Sequence, residues 1–287
     1  MTRIVYVNGQ YQRYADAAVH AEDRGFQFGD AVYEVCEVRD GCLVDERRHL
    51  SRLARSLDEL TITQPMSDGA WRRIMRETIR RNRVHDGLVY LQVSRGAGPR
   101  NFLFSGVETP PTVVCLARNV DRQHLQLAAT RGIRVITHAE IRWARCDIKT
   151  VMLLPASLAK EKAHAQGAQE VWFVDREGCV LEGGSSNAWI VTHSGEIITR
   201  PVDTTILRGV TRMTLIDLLH DLGLQFKERA FSVAEALEAK EAFVTSAVGL
   251  VMPVVCIDDR MIGEGLPGAI TQRLRNAFNK VASISSR

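Results

Sequence analysis

Two short stretches of this chain carry residues able to do covalent chemistry. The first, Arg142-Trp143-Ala144-Arg145-Cys146-Asp147-Ile148-Lys149-Thr150, presents a single lysine in a mostly apolar setting. The second, Leu181-Glu182-Gly183-Gly184-Ser185-Ser186-Asn187, presents one acid beside residues too small to block a close approach. A lysine that sheds its proton attacks carbonyls, and apolar surroundings favour the neutral amine. An acid against a heterocyclic nitrogen keeps the ring protonated, so that the ring can draw electrons from a bond being broken. Taken singly, each signal has an ordinary reading: a lysine at a strand end is usually solvated, and Glu before Gly-Gly is usually a turn. Their order along the chain and their flanks join them.

The run Asp147-Ile148-Lys149-Thr150, a following helix containing Leu158-Ala159-Lys160, and Glu182 through Asn187 resemble the pyridoxal-phosphate enzymes of fold type IV. That group holds D-amino-acid aminotransferases, branched-chain aminotransferases and aminodeoxychorismate lyase. The similarity runs from Val7-Asn8-Gly9 to about Gly263. Asp23-Arg24-Gly25-Phe26-Gln27-Phe28-Gly29-Asp30-Ala31-Val32-Tyr33-Glu34-Val35 and Ile141-Arg142-Trp143 through Lys149 are most similar to the D-amino-acid aminotransferases.

The resemblance implies pyridoxal 5'-phosphate as cofactor, at the interface of two domains, and a homodimer whose subunits complete each other's sites. It implies that Lys149 is the Schiff-base lysine and moves the proton at the substrate α-carbon, and that Glu182 faces the pyridine nitrogen. Gly183 and Gly184 leave room for the ring, while Ser185, Ser186 and Asn187 can donate hydrogen bonds; family members often carry Ser where Gly184 stands. Arg52, in His49-Leu50-Ser51-Arg52-Leu53, is similar to the family's phosphate arginine. Gly209-Val210-Thr211 opens a helix whose free amides suit a phosphate, with Leu207 placed to pack on the ring face. Thr245-Ser246-Ala247 resembles a second phosphate-side loop, with Ala247 where a threonine is common. Tyr33 is expected near Lys149, and Trp143, with Arg142, near the same pocket.

Arg95-Gly96-Ala97-Gly98-Pro99-Arg100-Asn101-Phe102 looks like the family's carboxylate-binding loop, in which a guanidinium fork can grip a carboxylate at two points. D-amino-acid aminotransferases typically place a histidine two positions after the arginine. Here Arg100-Asn101-Phe102 has none, so either Arg100 acts with other partners or the carboxylate is held differently. The reaction implied is ping-pong transfer between D-amino acids such as D-alanine and 2-oxo acids such as 2-oxoglutarate. A branched-chain L-amino-acid aminotransferase, an (R)-amine transaminase and aminodeoxychorismate lyase remain open on the same fold. A non-catalytic binding protein has no physical need for Lys149, Glu182, Arg52 and Thr211 together.

The elements that must position these residues are legible from periodicity. Residues 3–7 alternate like a strand turned at Asn8-Gly9, and a second β-rich stretch at 31–38 is turned at Asp40-Gly41, both read as hairpin turns. Leu50, Leu53, Leu57 and Leu60 mark one face of a helix over 46–60, and Ser67 can cap a helix to about Asn82. Strands are expected at 88–94, 112–117, 132–137, 170–174, 187–191, 242–245 and 254–257. Helices are expected at 154–166, with Pro155 in the first turn, at 210–222 and at 269–281. The polar stretch near 118–123 reads as a linker between a smaller α/β domain (1–117) and a larger cofactor-binding domain (124–287). Periodicity alone supports an α+β, or mixed α/β, two-domain protein without internal repeats; the resemblance narrows this to fold type IV.

Composition excludes several classes. The chain has 287 residues, 45% hydrophobic and 25% charged, with a net charge of +3. These are ordinary values for a globular protein. Acids and bases are interspersed and no basic stripe carries interleaved aromatics, so nucleic acid is not an expected partner. No apolar run reaches the length of a membrane span. The six cysteines form no CxxC pair and the eight histidines no HExxH, so buried thiols, a cytoplasmic location and no metal site are expected. The N-terminus lacks a signal-peptide core. The expected partners are an amino donor, a 2-oxo acid acceptor and a second copy of the chain.

Overall fold

The computed structural model describes residues 3–104 and 109–281. The chain divides into two compact units. The first gathers the residues up to Arg122 together with the insertion Ile148–Met152. The second holds Gln123–Asp147 and the described chain from Leu153 onward. Lys149, expected within the 124–287 domain, is therefore carried by the first unit.

The first unit is built on a six-stranded antiparallel sheet of β1 (Ile4–Val7), β2 (Gln10–Arg13), β3 (Ala31–Arg39), β4 (Cys42–Leu43), β5 (Gly87–Ser94) and β6 (Thr112–Asn119), in the order β2-β1-β6-β5-β3-β4. Both expected hairpin turns form, with positive φ at Asn8 (45°), Gly9 (93°), Asp40 (50°) and Gly41 (74°), the signature of type I′ turns. Helix α1 (Arg24–Phe28) is short and capped by Asp23, whose Oδ1 accepts from the Gly25 amide. Helices α2 (Glu46–Glu59) and α3 (Asp68–Asn82) lie on the sheet, α2 against β3 and α3 against β6 and β1. Leu50, Leu53 and Leu57 of α2 are buried as their spacing requires, with Trp71, Met75 and Ile79 of α3. Leu60 closes the helix as its C-cap and is only half-buried. Ser67 caps α3 by accepting from the Ala70 amide.

The second unit carries a nine-stranded mixed sheet. Its elements are α4 (Arg122–Arg131), β7 (Ile133–Ala139), α5 (Leu154–Ala165), β8 (Glu170–Val174), β9 (Val180–Gly183), β10 (Asn187–Val191), β11 (Ile197–Thr199), α6 (Val210–Asp221), β12 (Phe226–Glu228), α7 (Val233–Leu237), β13 (Glu241–Ser246), β14 (Leu250–Ile257), β15 (Arg260–Met261) and α8 (Ala269–Val281). The strand order is β12-β11-β10-β13-β14-β7-β8-β9, with β15 on β14. β7 runs parallel to both β14 and β8, β12 parallel to β11, and the other pairs are antiparallel. β10 and β14 are buried throughout, which suits strands covered on both faces. β8 divides its side chains between two cores. Val171 and Phe173 meet the small Ala156, Ala159 and Ala163 face of α5, and Trp172 joins Ile190, Phe231 and Val254 on the other side. α6 and α8 lie against β13. The segment 118–123, read above as a linker, holds the end of β6 and the start of α4.

Within the first unit, Glu34 of β3 is buried against α2. It accepts from Arg52 at both oxygens (2.7 and 2.8 Å) and lies 2.8 Å from His49 Nδ1. Burial alone would raise its pKa, but the Arg52 charge and hydrogen bonds win and lower it from 4.5 to about 2. Because the folded value lies below the unfolded one, the pair's stabilisation is complete above pH 4.5 and fades as the pH falls towards 2. Glu34→Gln is expected to cost about 3 kcal/mol near neutrality, since it leaves a buried guanidinium without its counter-ion. Urea unfolding at a series of pH values checks this, and the gap from the parent should narrow as the pH falls from 4.5 towards 2.

Candidate active site

In the first unit the lysine segment is held by backbone bonds. The Tyr33 amide donates to the Lys149 carbonyl (3.0 Å), and the Val151 amide donates to the Ala31 carbonyl (3.1 Å). Residues 149–151 thus run along β3 beyond the part of its edge taken by β4. The Lys149 amide also donates to Ser56 Oγ of α2 at 3.4 Å. Gly29, at φ +70°, is needed here: a Cβ would stand 2.7 Å from Met152 Cγ. The Lys149 Nζ then lies 4.3 Å from the centre of the Tyr33 ring. Tyr33 stacks on Tyr90 (centroids 5.5 Å apart, 26°), and the Tyr90 hydroxyl donates to Gln92 Oε1 at 2.6 Å. Burial, with Tyr33 adding to it, pushes the Tyr90 phenol up to about 12, so it stays a neutral donor.

The structure brings Lys149 and Tyr33 together as expected. It places Arg52 with its Nε and Nη2 on Glu34.

The loop expected to grip a carboxylate is pinned from below. Asp30 accepts from Arg24 Nε (2.7 Å) and from Arg95 Nε and Nη2 (2.8 and 3.1 Å). Arg24 Nη1 donates to the Asn101 carbonyl (2.6 Å), and Arg95 donates to the Leu60 and Thr61 carbonyls (2.6 and 3.0 Å). Both guanidinium groups also face the Phe104 ring. Arg100 is exposed and lies 4.9 Å from the centre of the Phe28 ring. Among the described residues, no carboxylate meets it. Asp30 and Arg24 escaped sequence reasoning as positioning groups. The signal was the crowding of arginines around one acid in segments distant in sequence.

In the second unit, Glu182 lies in β9, one residue before its end, with its side chain buried. Oε1 accepts from Arg142 Nη1 at 2.6 Å. Oε2 accepts from Asn187 Nδ2 (3.1 Å) and from the Leu207 amide (2.9 Å). Asn187 also donates to the Leu207 carbonyl at 2.8 Å. Glu182, Asn187 and Leu207 are therefore one cluster. Gly209, the cap of α6, meets this cluster closely, because a Cβ there would stand 2.1 Å from Asn187 Oδ1.

Ser185 and Ser186 turn another way. Both hydroxyls donate to Glu170 Oε2 (3.1 and 3.0 Å), and Lys160 Nζ donates to Ser185 Oγ (3.0 Å) and pairs with Glu170 (3.3 Å). A Cβ at Gly184 would meet Val171 at 2.9 Å and Lys160 at 3.0 Å. Glu170 and Lys160 were not singled out from the sequence as loop anchors, since nothing local marks them as partners of a turn so far along the chain.

The N-terminus of α6 has no side-chain cap, so its first amides are available to an anion. Val210 and Thr211 in that turn are buried. Ser246 Oγ accepts from the Gly249 amide at 3.0 Å, fixing the turn that contains Ala247. Trp143 is half-buried in the irregular segment after β7, and its carbonyl accepts from the Cys146 thiol. Burial and the nearby acids outweigh Arg142 and push that thiol up to about 12, so it is no nucleophile at neutral pH. A buried carboxylate bound by three donors and an uncapped twelve-residue helix suit a phosphorylated heterocycle with a cationic nitrogen.

Elsewhere, Asp40, His85 and Asp86 bring their ligand atoms within 4.8 Å of one another. This trio is mostly exposed, and Arg122 already pairs with Asp86 at 2.6 Å. Among the described residues, no helix is long and apolar enough to cross a membrane.

The chain is similar to known proteins in sequence and in fold. Residues 31–257 match the amino-transferase class IV family. The chain is 37% identical over 284 residues to a D-alanine aminotransferase of Bacillus licheniformis, covering 99% of each chain. It superposes on the branched-chain amino acid aminotransferase of Escherichia coli with a TM-score of 0.90 and 24% identity, covering 99% of this chain and 95% of that one. A hypothetical aminotransferase from Mycobacterium tuberculosis, in its PLP-bound form, gives a TM-score of 0.86 at 25% identity, covering 97% of this chain and 98% of that one. A nearly full-length match in sequence, with two sheets and their helices arranged as in solved aminotransferases, places this chain in the class IV aminotransferase family, whose members depend on pyridoxal phosphate.

Proposed function

We propose that this protein exchanges an amino group between D-amino acids, with D-alanine as the type donor, and 2-oxo acids such as 2-oxoglutarate. The likeness to D-alanine aminotransferases over nearly the whole chain carries this reading. Pyridoxal 5'-phosphate, when bound, supplies the aldehyde and the electron-withdrawing ring. Lys149 contributes the amine that holds the aldehyde and afterwards moves the proton at the substrate α-carbon. The Tyr33 ring restrains that amine. Glu182, set by Arg142, Asn187 and Leu207, is the counter-charge for a protonated ring nitrogen. The amides of Val210 and Thr211, the Ser246–Ala247 turn and Arg52 serve the phosphate. Leu207 covers the ring, Ser185, Ser186 and Asn187 shape the loop beneath it, and Trp143 borders the substrate.

Arg100 is the carboxylate ligand in this reading, since Arg24 and Arg95 are committed to Asp30. Both half-reactions use one site, so the kinetics are ping-pong. A homodimer is part of the same proposal, supported by the exposed apolar side chains Phe26, Phe102 and Leu103. A cytoplasmic location is supported by six cysteines that are all free thiols.

Cofactor-loaded protein mixed with D-alanine, without an acceptor, should lose its visible absorption band and form pyruvate stoichiometric with enzyme. Bleaching by L-leucine or a chiral amine alone would reject the substrate assignment and leave the family intact. Lys149→Ala should lower turnover about a thousandfold or more while leaving the circular dichroism spectrum unchanged; near-parent turnover would remove Lys149 from its role. Arg100→Ala should raise KM for D-alanine about 10- to 100-fold, with a smaller change in kcat, as read from initial rates over a range of D-alanine concentrations.

A further inference from the structure

We infer that Arg142 is a positioning residue for the acid at the ring nitrogen: clamped by Glu140, it holds the Glu182 carboxylate in one orientation and as an anion. The inference rests on the reading that Glu182 faces that nitrogen.

The geometry forms a chain of three charged groups. Arg142 Nε lies 3.0 Å from each Glu140 oxygen, and Nη2 donates to Glu140 Oε2 at 2.6 Å. The Arg142 amide also donates to Glu140 Oε1 at 2.6 Å, so the acid grips both backbone and side chain. Nη2 reaches the Thr205 carbonyl at 3.4 Å, and the guanidinium carbon stands 4.3 Å from the centre of the Phe173 ring. Its plane is fixed at one edge by Glu140 and at one face by Phe173. That leaves Nη1 aimed at Glu182 Oε1, at 2.6 Å.

Glu182 is in turn held at its two oxygens by different elements. Arg142 takes Oε1, while Asn187 and the Leu207 amide take Oε2. The carboxylate plane cannot turn without breaking a charge-assisted bond. Only arginine suits this task, because a lysine ammonium cannot span two carboxylates with fixed directions.

Burial points the same way. Two carboxylates share one guanidinium, and the side chains of Arg142, Glu182 and Glu140 are only 12%, 7% and 23% exposed. The Arg142–Glu182 contact therefore lies in a poorly solvated place, where charge-assisted bonds are strong. A cation beside Glu182 is favoured there, and a protonated ring nitrogen provides one. Arg142 itself stays charged: burial opposes this, but the Glu140 hydrogen bonds and the Glu182 charge raise its pKa.

The test is a double-mutant cycle of Arg142→Met, Glu182→Gln and the pair. Apo-protein is titrated with pyridoxal 5'-phosphate, following tryptophan fluorescence for Kd, and the D-alanine half-reaction is followed in the loaded enzyme. Arg142→Met should weaken cofactor binding and slow the half-reaction about 10- to 100-fold. The double variant should match Glu182→Gln within about twofold, since Arg142 acts through that acid. Losses that multiply in the double variant, or an unimpaired Arg142→Met beside an impaired Glu182→Gln, would overturn the inference. If Glu182→Gln alone changes neither Kd nor rate, the ring-nitrogen reading fails and the inference with it, an outcome seen without touching Arg142. Should Arg142→Met not fold, Arg142→Lys enters the same cycle. Loss of Kd and rate despite the retained charge supports the inference, and parent values overturn it.

Discussion

A buried carboxylate must be matched by donors, because removing it from water costs more than most single interactions return. Glu182 is such a group, and much of the second unit's local structure follows from satisfying it. Glu182 lies near the end of β9 with its side chain buried. Asn187 begins β10 with its amide bridging that acid and the Leu207 carbonyl. The chain before α6 presents the Leu207 amide to the same oxygen, and Gly209 lets the helix start against Asn187. One charge thus ties together two strands, an irregular segment and the start of a helix.

The first unit solves a related problem differently. There the reactive candidate is an amine at the end of a long, flexible side chain, and its placement is set by backbone rather than by charge. Lys149 is fixed through its carbonyl to β3, and its Nζ is restrained by the Tyr33 ring. Charges in this unit are used to stiffen the surroundings. Glu34 joins β3 to α2 through Arg52 and His49. Asp30 joins α1 to the 95–101 loop through Arg24 and Arg95. Pairs of this kind contribute less to net stability than to definition of geometry, which is what a site requires.

Neighbouring serines show how tertiary contacts reassign similar side chains. Ser185 and Ser186 stand beside Asn187, and all three read as donors to a ligand. Asn187 turns to Glu182, whereas both serines turn to Glu170 on the neighbouring strand, with Lys160 of α5 completing that cluster. Their contribution to the loop is structural support from one side, opposite the support that Asn187 gives from the other.

The sequence by itself determined the mixed α/β class, the family and most of the elements. Period-2 and period-3.6 patterns, Asn-Gly and Asp-Gly turns, and the Ser67 cap act over a few residues, and they formed where expected. α1, α7 and the two- and three-residue strands did not show, because so few residues carry no reliable period, and α4, with Ala129 its one buried residue, presents almost no apolar face. Lys149, Tyr33, Glu182, Asn187 and Leu207 were legible as candidates through their motifs. Only the tertiary structure decided their partners. It assigned Arg142, itself held by Glu140, to Glu182, Glu34 to Arg52 and Asp30 to two arginines, and it placed residues 148–152 in the first unit. Of these pairings, Glu34 with Arg52, Glu182 with Arg142 and Asp30 with Arg95 join side chains 18, 40 and 65 positions apart. A buried charge selects whichever opposite charge the fold brings within hydrogen-bond reach, and that choice leaves no local trace in the sequence.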